Sequence, residues 1–240
     1  MDSKIIEAIN NCDFFNDFIL FLKTLKQKGG LDLTKTGNLQ RKEINYFGQI
    51  FKIDIYHRDD AGKIMWPINT EDEVQHLIRI RLISKVMNLT YQRKGKLLLS
   101  KNGKAYLTNI DKQTQFEQMI LWYFHRCNWA YMHHYLEDSA TIFQENQLIL
   151  WRQLISQKDN LIDFKKYVEG IRLYFRFSKN EKQYSDRTEW AVERIIIKDL
   201  ELYNLIDVNR IPGQYGKVIN NFKLTKSGEH ILNKFLNEPF

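Results

Sequence analysis

The residues best equipped for chemistry in this 240-residue chain fall into three groups. His125, Cys127, His133 and His134 lie within an aromatic run from Trp122 to Tyr135, where soft and borderline donors could meet zinc. Their spacing, His-x-Cys followed by His-His, lacks the paired short intervals of structural zinc sites. On a helix Trp122, His125 and Trp129 share one face, which reads as core or a domain interface. His57-Arg58-Asp59-Asp60 sets an imidazole beside two carboxylates, the ingredients of acid–base work or of a hard-metal site. Adjacent acids just ahead of Gly62 read instead as a solvated turn. No Gly-rich phosphate loop, no Gly-x-Ser-x-Gly elbow and no His-Glu-x-x-His occurs. The expectation is a protein with no catalytic residues, no metal and no other cofactor.

The third group is basic, and its chemistry is phosphate binding. From Arg79 to Lys104 there are eight cations (Arg79, Arg81, Lys85, Arg93, Lys94, Lys96, Lys101, Lys104) and no acid. A second acid-free stretch, Val208 to Lys226, holds four more: Arg210, Lys217, Lys223 and Lys226. Together they carry +12 against +7 for the whole chain, so everything else sums to −5. Local positive charge of this kind is the footprint of a polyanion-binding face. Asn88, Thr90 and Gln92 interleave with it as short donors that fix register on a backbone of phosphates. The bland reading is a solvated helix end and a hairpin kept soluble by charge.

The elements that must present these cations are punctuated by one phrase, used three times. Leu33-Thr34-Lys35-Thr36-Gly37 recurs as Leu99-Ser100-Lys101-Asn102-Gly103 and as Leu224-Thr225-Lys226-Ser227-Gly228. Each copy follows a strand-like run and precedes a helix-like one, so the hydroxyl should cap a helix while the Gly allows close packing in its first turn. Apolar spacing predicts helices over 3–28, 38–51 and, behind a Thr70/Glu73 capping box, 72–89. A basic hairpin then turns at Lys94-Gly95. Downstream, helices are expected from a Thr114/Glu117 box to about His134, over 141–156 and 161–177, and from Asp186 onward, with a polar loop over 178–186. Strands at 205–208 and 218–224 lead into a last helix, 226–236.

The segments Thr70 to Asn109 and Asp186 to Leu236 resemble winged helix-turn-helix domains. The second is also similar to the tail of bacterial transcription regulators, where a long helix, a wing and a Leu-Thr-Lys-x-Gly helix close the domain. The resemblance implies that the 72–89 helix contacts DNA with Arg93, Lys94 and Lys96 on the wing. The fold expected is mainly helical α+β: two winged-helix-like modules, 1–112 and 113–240, the second including a helical block. The site residues are Arg79, Arg81, Lys85, Arg93, Lys94, Lys96, Lys101, Lys217 and Lys223, binding nucleic acid, with DNA ahead of RNA.

The competing reading is a non-catalytic scaffold for a protein partner, motivated by the aromatic runs Trp122–Tyr135 and Tyr167–Phe177. The longest apolar run, Phe14 to Leu22, holds Asn16 and Asp17 and is too short for a bilayer, so no membrane role is expected. Two cysteines and no cationic leader segment point to a reducing cytoplasm.

Overall fold

Polar Asn10 and Asn11 interrupt the first apolar periodicity, so the helix expected over 3–28 is two: α1 (Ser3–Asn10) and α2 (Asp13–Lys28). The break matters, because in this computed structural model the chain divides there into two units. One is Asp13–Cys127; the other joins Met1–Cys12 to Asn128–Phe240. The structure describes residues 3–59, 61–176, 182–214 and 216–237.

The first unit continues with β1 (Leu31–Asp32), α3 (Arg41–Ile50) and a 3₁₀ turn, Glu71–Glu73. There follow α4 (Gln75–Val86), β2 (Thr90–Arg93), β3 (Lys96–Leu99), α5 (Lys101–Asn109) and α6 (Lys112–Arg126). The Thr70/Glu73 capping box forms, but it opens the 3₁₀ turn, and α4 starts only after non-helical Val74 (φ −117°, ψ 85°). The sheet runs β1-β3-β2, all antiparallel, with Leu31 opposite Leu97 and Thr90 opposite Leu99. Its core is aromatic: Phe15 meets Phe116 edge-on at 5.3 Å and Phe21 meets Phe47 at 5.2 Å. The sequence boundary at 112/113 falls in the first turn of α6, which groups with this unit.

α6 starts earlier than its expected box. Asp111 caps it, accepting the Thr114 amide at 3.0 Å. It also ends earlier, at Arg126, because Cys127 is extended and Asn128 caps a new short helix, α7 (Trp129–Met132). The second unit adds α8 (Glu137–Glu145) and α9 (Gln147–Ile155), split at Asn146 where the sequence predicts one helix. β4 (Ile162–Asp163) then precedes α10 (Phe164–Tyr174), so the start of the predicted 161–177 helix is a strand. α11 (Lys182–Ala191) begins ahead of Asp186 and runs through a π turn, Val192–Ile197, into α12 (Lys198–Leu202). Residues 177–181, at the end of the predicted helix and in the predicted loop, lie outside the described residues. β5 (Ile206–Gly213), β6 (Gly216–Leu224) and α13 (Lys226–Asn237) complete the chain, the strands longer than expected. This sheet runs β4-β6-β5. The class is therefore the mainly helical α+β one expected, with a small three-stranded sheet and a hairpin in each unit.

The two units repeat each other at the level of single hydrogen bonds. Asn88 and Asn204 both take positive φ, 55° and 60°, at the end of the helix before the hairpin. The amides of Leu89 and Leu205 reach back five residues, to Ser84 O and Leu200 O, each at 2.8 Å. That is the Schellman ending of a helix. Ser100 Oγ then donates to Asn88 O at 2.7 Å while accepting the Gly103 amide at 2.9 Å. Thr225 Oγ1 does the same with Asn204 O at 2.9 Å and Gly228 at 3.0 Å. The hydroxyl thus caps a helix and ties it to the helix before the hairpin.

The first copy of the phrase does not follow. Thr34–Gly37 is a tight turn in which the Gly37 amide returns to Thr34 O at 3.0 Å, and Leu33 bridges to Leu39. α3 starts only at Arg41.

A Cβ on Gly103 or Gly228 would overlap the carbonyl oxygen of Leu89 or Leu205. Gly103→Ala and Gly228→Ala are each expected to cost about 1–3 kcal/mol by overpacking. Gly170→Ala meets only the end of the Gln153 side chain, at 3.1 Å, and is expected to be neutral or mildly stabilising. Urea denaturation midpoints of the three variants check this ordering.

Candidate nucleic-acid interface

Lys94 (φ 50°) and Gly95 (φ 70°) form the two-residue turn of the β2–β3 hairpin, both in the left-handed region that a type I′ turn requires. Alternation along the strands then sorts the side chains. Leu97 and Leu99 point into the core with Thr90, whose hydroxyl lies 3.2 Å from that of Ser84. Tyr91, Arg93 and Lys96 occupy the other face, and all are exposed, Tyr91 by 45%. An aromatic ring beside two cations, with Lys94 at the tip, makes a surface suited to phosphate and sugar or base contact.

A second segment flanks this hairpin. The Leu33 amide donates to Gly95 O at 2.8 Å, and the Gln92 amide group reaches Gly37 O at 3.4 Å. The Thr34–Gly37 turn therefore sits against the hairpin and brings exposed Lys35 to it. Asp32 is the carboxylate on this face. Lys42 holds it at 2.5 Å and Lys96 approaches to 3.7 Å. The Lys42 hydrogen bond outweighs the other influences and keeps the Asp32 carboxyl below the usual carboxylate range, with the Lys42 ammonium correspondingly raised.

Two of the predicted contacts are elsewhere. Arg79 is buried, 8% exposed, with Nη1 donating to Tyr123 Oη at 3.2 Å and its guanidinium 5.2 Å from that ring. Arg81 pairs with buried Glu71, while its Nη2 donates to Gly37 O at 3.1 Å. Glu71 also accepts the Leu39 amide at 2.6 Å. Burial raises its carboxyl, and Arg81 offsets part of that rise. Arg81 is a bolt between α4 and the Thr34–Gly37 turn, so α4 presents neither arginine as a contacting group.

Lys85, Arg93, Lys94, Lys96 and Lys101 are exposed as expected, and so is Lys104. In the second unit Lys217 and Lys223 are both exposed, Lys223 facing Asp207 at 3.7 Å as Lys96 faces Asp32. Arg210 makes a two-pronged pair with Glu201, both bonds 2.6 Å, which holds its proton more firmly. The tip of that hairpin exposes Ile211 and Val218, a cross-strand pair.

His133, Cys127 and Asp59 are engaged in structure. His133 Nε2 lies 3.2 Å from buried Asp199, and burial pushes the Cys127 thiol up to about 12. Asp59 accepts the amides of Ala61 and Lys63, building its turn, while Asp60 lies outside the described residues. Among the described residues no group of three His, Cys, Asp or Glu side chains is placed to hold a metal.

Residues 11–113 match the model of the Y4jL N-terminal domain. The matched segment is less than half of the chain and contains α2 to α5, with the whole β1-β3-β2 sheet and its basic hairpin. Comparison with curated proteins and with solved structures returned no match.

The Asn-Leu pairs 88–89 and 204–205, which root both hairpins, become legible only when the two halves are aligned on the helix ends rather than on the phrase. Removing the guanidinium in Arg81→Ala strands a buried carboxylate and is expected to destabilise the protein by about 3 kcal/mol. Arg93→Ala should stay within about 0.5 kcal/mol of the parent. Equal urea midpoints for the two variants would contradict these assignments.

Proposed function

We propose that the chain is a nucleic-acid-binding regulator of the winged helix-turn-helix kind, gripping phosphates with the β2–β3 hairpin of its first unit. The observation that carries the reading is the exposure of Arg93, Lys94 and Lys96 beside Tyr91, with Lys35 added by the adjoining turn. Element order supports it: helix, strand, helix, helix, then two strands, the first strand pairing with the last. Lys85, Lys101 and Lys104 are further exposed cations of the same unit. With Arg79 and Arg81 turned inward and the acids Glu71, Asp72 and Glu73 in the 3₁₀ turn ahead of it, α4 contributes shape and the wing contributes charge. DNA is the expected polymer ahead of RNA, and the cytoplasm the expected setting. Among the described residues no helix is long and apolar enough to cross a membrane.

A specific contrast favours a second reading for the other unit. Its hairpin bases Arg210 and Lys223 face carboxylates, its tip exposes Ile211 and Val218, and Tyr131 and Tyr135 are 60% and 78% exposed. Apolar and aromatic side chains on a polar rim suit a protein partner better than a phosphate backbone. The second unit then acts as a scaffold while the first binds nucleic acid.

The test is affinity for duplex DNA across a salt series, for the parent and for Arg93→Glu/Lys94→Glu/Lys96→Glu. The triple variant should bind at least about tenfold more weakly, and its log–log salt slope should flatten by roughly 0.9 for each phosphate it no longer neutralises. Unchanged affinity and slope would remove the proposal.

A further inference from the structure

The second unit holds a window opposite in sign to that of the first. From Asn128 to Trp151 the chain has three acids, Glu137, Asp138 and Glu145, and no Lys or Arg. Helical spacing along α8 sorts its side chains. Ala140 and Phe143 are buried, while Glu137, Thr141 and Glu145, four residues apart, and Asp138 beside the first are exposed. Among the described residues none of the three carboxylates makes an ion pair. Glu137 and Asp138 sit in the first turn, where the helix dipole favours an acid, but Glu145 lies in the last, where the dipole opposes one. Tyr131 and Tyr135, just ahead of α8, add exposed rings, that of Tyr135 centred 3.9 Å from that of His134. Rings beside carboxylates suit Lys and above all Arg, whose planar cation gains from both.

We propose that this face of α8, with Tyr131 and Tyr135, docks the basic β2–β3 hairpin of a second copy of the chain. The proposal rests on the reading of the second unit as a scaffold and names its partner. Charge complementarity selects the occupant. The hairpin presents Arg93, Lys94 and Lys96 beside Tyr91, all exposed. Among the described residues Arg93 and Lys94 make no ion pair, and Lys96 approaches only Asp32, at 3.7 Å. Three cations on a narrow ribbon meet three carboxylates on one helix face, and Tyr91 meets tyrosines. A polyanion is repelled by the same face. Local opposition of sign guides the copies together although each carries a net +7. Hairpin and face are different surfaces, so the contact is head-to-tail. A hairpin held in this way is withdrawn from phosphate.

Sedimentation equilibrium of the full chain over a concentration series, without DNA, is the test. The parent should self-associate. Arg93→Glu/Lys94→Glu/Lys96→Glu and, separately, Glu137→Lys/Asp138→Lys/Glu145→Lys should each weaken association at least about tenfold, and combining all six changes, which opposes the signs again, should restore it. Tyr131→Ala/Tyr135→Ala should weaken association while keeping the urea midpoint of the parent. Its affinity for duplex DNA, read at concentrations where the parent is monomeric, should be unchanged. A parent that stays monomeric, full association in either triple variant, or no recovery in the combined variant would overturn the docking and leave the scaffold reading standing. A loss of duplex affinity in the tyrosine variant would put nucleic acid on this face and overturn both.

Discussion

A hydroxyl that makes two hydrogen bonds at once sets the geometry of both units. Ser100 and Thr225 each cap the helix that follows a hairpin and donate to the asparagine carbonyl that precedes it. An N-cap alone is worth about 1 kcal/mol. Here it also closes the base of the hairpin, because the amide of the same residue bonds to Leu89 O at 2.8 Å or Leu205 O at 3.0 Å. The glycine three residues on lets the carbonyl approach. Side chains at the strand roots are thereby held in register, and the hairpin tip projects with a fixed face outward.

From that root the hairpins diverge. Ser100 is 12 residues from Asn88, whereas Thr225 is 21 from Asn204, so the second hairpin is longer by the difference of nine. The short one ends in Lys94-Gly95 with Arg93, Lys94 and Lys96 exposed, Lys96 approaching Asp32 at 3.7 Å. The long one brings Arg210 alongside Glu201 of α12 and sets Lys223 across from Asp207 on the neighbouring strand. One scaffold yields a charged tip and an apolar tip through strand length and the placement of a few acids.

Much of the fold is legible in the sequence, because it is written in apolar periodicity and in the capped phrase. The parts that are not have particular physical causes. The first phrase shares its letters with the other two, yet Gly37 adopts φ 89° and packs beside Gln92 rather than under a carbonyl. No Asn-Leu helix ending precedes it, so there is no carbonyl for the hydroxyl to tie. β4 is two residues long and gains its identity only by pairing with Phe222 and Asn221, which lie far along the chain. Asn146 and Cys127-Asn128 break helices that periodicity alone would continue, since Asn128 supplies its own cap.

The positive charge is local, as its placement in the sequence implies, but the arginines of α4 do not face outward. An acid-free window says nothing about acids beyond its edge, and the partner of Arg81 is Glu71, ten residues upstream. Arg79 finds Tyr123 44 residues downstream. Both lie on α4, whose buried side also carries Leu77, Ile80 and Ile83, so the helix that looks most basic spends its guanidinium groups on packing. The consequence is mechanical. Arg81 fixes the Thr34–Gly37 turn, Gly37 of that turn holds Gln92 while Leu33 just ahead of it holds the Gly95 carbonyl, and the exposed cations of the hairpin are positioned by an arginine whose own guanidinium is engaged with Glu71.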